Sequence, residues 1–274
     1  MYGLPWIPGS PPFDAISHLP GARPPITTVL SEHNLRLIPV ECSPRNPPSG
    51  IEMDAPRGDD IDLVSPVPDE YYDRVIYHLR NNFFADEPLN NSVGLCQRGE
   101  SNEELEKLSI STLKDRLSVM AINSNNEVIA VVLNGVLTEK DLDESLIKLE
   151  NNSDEKCKTI FRVLYRLNHS LQLFKKYKVD KMFECRILSV DAKYRGLGLA
   201  NKLIIRSEEL AKDFGFKVFK TDSTGLFSQR TLMKLGHEAV FEVNYEDIKD
   251  ENGEQIFKTK PPHTCLKIMT KILD

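Results

Sequence analysis

The 274-residue sequence is poor in what a metal centre or a disulfide framework needs. Its five cysteines, Cys42, Cys96, Cys157, Cys185 and Cys265, are widely spaced, odd in number and never form a CxxC pair. That argues against zinc or any other metal, and for reduced thiols in a cytoplasmic protein. A basic excess is also missing. The net charge is -6, without the electrostatic footprint of a nucleic-acid binder. No apolar run approaches the roughly 20 residues that span a bilayer. Pro5, Pro8, Pro11 and Pro12 break the N-terminus where a signal peptide would need an apolar stretch. Neither membrane association nor secretion is therefore expected, and the glycosylation triplets beginning at Asn90, Asn151 and Asn168 are read as chance matches. Tryptophan occurs once, as Trp6.

Proline is plentiful, but in one place. Eleven of the first 48 residues are proline. Proline fixes φ and removes a donor, so residues 1–57 read as a disordered arm, with docking to an aromatic groove as the alternative. Residues 58–274 then form one domain. With 40% hydrophobic and 28% charged residues, the chain can bury a core of ordinary size.

Helical spacing is seen in Tyr72, Val75, Ile76, Leu79 and Phe83, with Pro88 closing that region, and again over 103–113. Two apolar runs, 117–122 and 128–133, flank Asn123-Ser124-Asn125-Asn126 and predict a hairpin. One long helix is expected over 154–176. A strand follows over 183–190, then a helix over 203–214, a strand opening at Val218-Phe219, and a short helix over 228–235 stopped by Gly236. Strands over 239–245 and 265–272 complete the set. Helices alternating with strands and hairpins predict an α/β sandwich around one mixed sheet.

The strongest local signal is a strand, then Asp191-Ala192-Lys193-Tyr194-Arg195-Gly196-Leu197-Gly198-Leu199-Ala200, then a helix. A helix N-terminus offers free N–H groups and a positive dipole end, which suits a pyrophosphate. Gly196 and Gly198 let the backbone approach an anion closely, and Arg195 and Lys193 add charge. A dinucleotide fingerprint would need glycine where Asn201 stands, and a P-loop would need Gly-Lys-Ser/Thr. What fits is arginine-x-x-glycine-x-alanine over Arg195, Gly198 and Ala200. This resembles the acetyl-CoA loop of GNAT acetyltransferases.

The resemblance narrows further. Asn82-Phe83-Phe84-Ala85-Asp86-Glu87-Pro88-Leu89-Asn90, the cofactor segment 188–200, Thr224-Gly225-Leu226-Phe227-Ser228 ahead of Leu235-Gly236, and Pro262-His263 are similar to the insect arylalkylamine N-acetyltransferases. The similarity runs from about residue 60 to the C-terminus. It implies a GNAT fold: a single mixed sheet of about seven strands flanked by helices and splayed between strands 4 and 5. It also implies direct acetyl transfer from acetyl-CoA to a small amine, in a ternary complex and without a metal, by a monomer. Glu87 matches the family's general base. Ser228 and Thr224 match hydroxyls near the reacting centre, Thr224 standing where serine is usual; helix capping is the plainer reading of both. Leu188, Ser189 and Val190, with Arg195 to Ala200, would hold the cofactor, the Leu188 N–H polarising the thioester. Phe83, Phe84 and His263 would line the amine pocket, one phenylalanine facing the core instead. Tyr245 reads as core, and Cys185 as a core thiol. The alternatives are a GNAT acting on agmatine, polyamines or protein amines, and a non-catalytic CoA-binding protein.

Overall fold

The computed structural model describes residues 61–150 and 154–274. The Pro-rich stretch, the expected boundary at 57/58 and the triplet at 151–153 lie outside the described residues.

Seven strands form one sheet. Across it run β1 (Ile61–Val64), β2 (Val119–Asn123), β3 (Val128–Thr138), β4 (Lys181–Val190), β5 (Val218–Ser223), β7 (Cys265–Ile272) and β6 (Glu238–Asn244). All neighbours are antiparallel except β4 and β5. β3 is buried on both faces, which is why its sequence is an almost unbroken apolar run. Successive side chains point to opposite faces. Val131, Leu133 and Leu137 therefore join one core, and Ala130, Val132 and Val136 the other.

The first core is roofed by α1 (Tyr72–Asn82), α2 (Pro88–Val93), α3 (Glu103–Lys114), α4 (Glu139–Leu149), α5 (Glu155–Leu171) and α6 (Leu173–Tyr177). The second is covered by α7 (Leu199–Asp213) and α8 (Leu226–Lys234), through Leu203, Ile204, Leu210 and Leu232. Each fully buried aliphatic side chain contributes about 1.5–3 kcal/mol.

One helical expectation needs correction here, and one helix is new. The stretch expected as one helix over 154–176 is two, because Gln172 adopts a left-handed φ of 46°. The break lets the adjacent Leu173 and Phe174 both reach the core, which neighbours 100° apart on a straight helix do less well. α4 had no counterpart in the sequence reading. It starts directly where β3 ends, and Thr138 and Asp141 form a reciprocal capping box there.

The sheet carries two irregularities that shape the site. In β4 the register jumps from Ile187 to Cys185 opposite Leu133 and Asn134, so Arg186 is an extra residue. Its guanidinium lies flat over Gly135, where a Cβ would sit 2.3 Å from Cζ, so only glycine fits. The second irregularity is the expected splay. β4 pairs with β5 only over Phe183↔Phe219, Glu184↔Lys220 and Cys185↔Thr221, then runs on to Val190 without it. Among the described residues, no helix is long and apolar enough to cross a membrane.

Candidate active site

The segment from Phe83 to Asn90 folds around one carboxylate. α1 ends at Asn82, and the Glu87 N–H donates back to the Phe83 carbonyl at 2.9 Å. Pro88 does not close a helix, as its sequence context suggested; it opens α2, in the first-turn position where its missing N–H costs nothing. Glu87 is the N-cap of that helix, its Oε2 accepting from the Asn90 N–H at 2.7 Å. Asn90 in turn donates its side-chain N–H to the Phe84 carbonyl, and Leu89 and Phe84 anchor the turn in the core. The other oxygen, Oε1, is buried and has no hydrogen bond from the protein. Burial pushes the Glu87 carboxyl up, against the Asn90 amide and the nearby Thr224 hydroxyl, which pull it down.

Facing it is the start of α8. Gly225 is the N-cap there, so neither Thr224 nor Ser228 is a cap. His263 takes that part: its Nδ1 accepts from the Leu226 N–H at 3.1 Å, which fixes the neutral ring with its proton on Nε2. Burial lowers the His263 pKa, and its ring stands edge-on to Phe227. Ser228 donates to the Gly225 carbonyl at 2.8 Å and meets the Ser223 hydroxyl at 2.7 Å. Tyr245 is core, as expected. Its buried hydroxyl also donates to the Thr224 carbonyl at 2.6 Å, and burial together with the Glu87 charge holds the phenol above its ordinary range.

At the end of β4, the Asp191 N–H bonds to the Ile129 carbonyl of β3. Amides alternate in direction along a strand, so those of Leu188 and Val190 point to the side that β5 has left. The Arg195 Nε takes the Val190 carbonyl on that side at 3.3 Å. Gly196 and Gly198 then adopt φ of 85° and 77°, and no protein atom lies within 4 Å of where a Cβ would be on either. These dihedrals disfavour any side chain, and the open space above them is a cradle. Gly198 caps α7 without a side-chain hydrogen bond. The first turn bond at that end is from Lys202 N to Gly198 O, so the amides of Leu199, Ala200 and Asn201 are available to an anion. Asp86 binds Arg98 at 2.6 Å and lies 4.0 Å from Arg195, linking the Glu87 turn to the loop.

Between the two halves lies a cavity of about 160 Å³. Phe83, Leu105, Phe161 and Leu164 form apolar walls, with Glu87, Thr224, Ser228 and Leu188 also exposed to it. At its floor Lys220, 1% exposed, pairs with Glu184 at 2.7 Å and Asp222 at 2.9 Å. Burial would raise Glu184, but the Lys220 and Arg186 charges outweigh it and hold the carboxylate below its usual range. Burial and the neighbouring Glu184 raise Asp222. No group of three or more His, Cys, Asp or Glu is placed to hold a metal among the described residues.

No protein-family model matches the sequence. Among solved structures, arylalkylamine N-acetyltransferase 2 from Aedes aegypti is 51% identical, with a TM-score of 0.76 over 78% of this chain and 100% of that one. The chain belongs to the insect arylalkylamine N-acetyltransferases. It is a transferase with the GNAT fold. A mosquito arylalkylamine N-acetyltransferase like 5b is 26% identical, with a TM-score of 0.71 over 78% and 100% of the two chains. The polyamine N-acetyltransferase of Drosophila melanogaster, 19% identical and with a TM-score of 0.70 over the same shares, has the same fold.

In this arylalkylamine N-acetyltransferase, Glu87, Thr224, Ser228, Leu188 and Phe83 share one cavity. Phe84 is fully buried in the core, and His263 packs on Gly225 outside the cavity lining. Cys185 is 5% exposed, in the second core and at the cavity edge. The ionic floor escaped the sequence reading. Its signal was Lys220 and Asp222, two opposite charges at alternate positions right after the apolar pair Val218-Phe219.

Proposed function

We propose that the enzyme transfers the acetyl group of acetyl-CoA to the primary amine of a small arylalkylamine, of the dopamine, serotonin, tyramine, octopamine or tryptamine type. The observation that carries this reading is Glu87 Oε1: a buried acceptor without a protein donor, beside an apolar cavity and below the β4–β5 gap. An amine arrives protonated and has no lone pair to attack with. Glu87, directly or through water, takes one ammonium proton, and its raised pKa makes it a better base than a free carboxylate. The amine nitrogen attacks the thioester carbonyl, whose developing charge the Leu188 N–H receives. The N–C bond forms and the C–S bond breaks; the departing thiolate takes a proton from the Ser228 or Thr224 hydroxyl, which regains one from the second proton shed by the acylated nitrogen. Arg195, the glycine cradle and the open amides of α7 fit a pyrophosphate.

The name of the 51% identical mosquito protein supports the same substrate class. Thiol release from acetyl-CoA, measured with dopamine, serotonin, tyramine, tryptamine, octopamine, agmatine and spermidine, tests the proposal. Turnover is expected with the arylalkylamines. Tight binding of coenzyme A without turnover of any amine would make the chain a CoA-binding protein instead.

A further inference from the structure

Acetyl transfer gives no work to one polar part of the cavity wall, yet that part is built. Asn168 of α5 and Asp222 of β5 meet there. The Asn168 Nδ2 donates to Asp222 Oδ2 at 2.8 Å and to the Leu164 carbonyl at 2.9 Å. Both amide hydrogens are thereby committed. Turning the amide over would set its oxygen against a carboxylate and a carbonyl, so the orientation is fixed by its partners. The Asn168 Oδ1 is left with no donor from the protein, on a residue only 2% exposed. Asp222 Oδ1 faces the Lys220 ammonium at 2.9 Å and is met by that ion pair.

Among the described residues two buried acceptors with neither a hydrogen bond nor an ion pair from the protein, Glu87 Oε1 and Asn168 Oδ1, belong to residues lining this one cavity. A buried acceptor left unmet costs stability, so such groups concentrate where a ligand supplies the donor. The ligand that matches carries two donors, one for each acceptor, on an apolar body. At the floor a neutral donor is favoured over a second cation: the ammonium of Lys220 already lies between Glu184 and Asp222, and the Arg186 guanidinium is 3.1 Å from Glu184. A carboxylate would meet two acidic groups.

We infer that Asn168 receives a neutral hydrogen-bond donor on the ring of the amine substrate, such as a phenolic hydroxyl, and so selects hydroxylated arylalkylamines over unsubstituted ones. This rests on the proposed amine acetylation and adds its specificity-determining residue.

Tyramine and phenethylamine differ only by that hydroxyl and make the cleanest test. In the unaltered protein kcat/KM should favour tyramine by about 10- to 100-fold, the range for one buried polar contact. Asn168→Leu should bring the ratio to within about threefold of one, by slowing tyramine far more than phenethylamine. The wild-type ratio needs no variant, so the inference stands exposed even if Asn168→Leu does not fold. It is overturned by a wild-type ratio near one, by a variant that slows both amines equally, or by agmatine outpacing tyramine. Calorimetry of both amines with coenzyme A present separates this from the reaction itself. Tighter tyramine binding without turnover would uphold the floor and sink acetyl transfer; turnover of both at equal affinity would do the reverse.

Discussion

Glu87→Gln removes the proposed base while disturbing little else. The glutamine carbonyl oxygen can still accept from the Asn90 N–H, so the α2 cap, worth about 1 kcal/mol, survives. What is lost is the group that takes the proton. General base catalysis is typically worth 10²- to 10⁴-fold, about 3–5 kcal/mol of barrier at 1.36 kcal/mol per decade. At pH 7, kcat/KM should fall by that factor. The pH profile carries a second signature. Burial raises the Glu87 carboxyl, so wild-type activity should climb as pH rises through that elevated pKa and then level off. The variant depends on amine already deprotonated in solution. Its rate should therefore keep rising about tenfold per pH unit towards the amine pKa, near 10 as for lysine, and the two profiles should converge. Stability should move the other way. An acid whose pKa is raised by folding costs stability once pH exceeds its unfolded pKa. The glutamine variant should consequently melt no lower than wild type at pH 7. Steady-state kinetics from pH 6 to 9.5, with melting curves at pH 7, measure all of this. A variant within about threefold of wild type at pH 7 would remove Glu87 as base. A lost rate with a markedly lowered melting point would assign the loss to damaged folding and not to a missing base.

Three other substitutions probe the remaining parts. Gly198→Ala forces alanine to a φ of 77°, a left-handed conformation that costs about 1–2 kcal/mol, and stands a methyl in the open cradle. KM for acetyl-CoA should rise at least tenfold with the KM for amine unchanged, and equal KM values in both proteins would move the pyrophosphate elsewhere. Lys220→Met strands Glu184 and Asp222 in the interior without their shared cation; urea unfolding should show a loss of about 3–5 kcal/mol. His78 faces the Val128 carbonyl through Nδ1 and the Ser189 hydroxyl through Nε2, and burial lowers its pKa to about 4. Its contribution to stability is complete above pH 6.5 and should fade as pH falls towards 4, at up to about 1.4 kcal/mol per pH unit. That slope should be missing from His78→Gln in denaturation series at stepped pH.

The parts legible in the sequence are those whose chemistry is local. The loop from Arg195 to Ala200 reads as an anion cradle because a strand, two glycines and a helix start are consecutive, and the structure gives both glycines left-handed dihedrals. The Phe83–Asn90 signature likewise closes on itself through Glu87, Asn90 and Phe84. What escaped was assembled at a distance. Asn168 and Asp222 are 54 positions apart, and no periodicity connects a helix residue to a strand residue across a cavity. α4 escaped because β3 runs into it with no intervening turn for glycine or proline to mark. The N-terminal position of Pro88 was misjudged for a related reason: proline ends one helix and begins another with equal ease, and only the Glu87 cap decides.

The brevity of the β4–β5 contact has a mechanical side. Three residue pairs join the two halves of the sheet, and the rings of Phe183 and Phe219 lie tilted against each other across that joint with centroids 5.2 Å apart. The Glu184–Lys220 ion pair sits on the same three-residue seam. Beyond it the halves share no ladder, so prising them apart at the open end breaks no backbone bond. The geometry is that of a pair of tongs with an aromatic rivet, its arms apart at the open end and joined at the pivot.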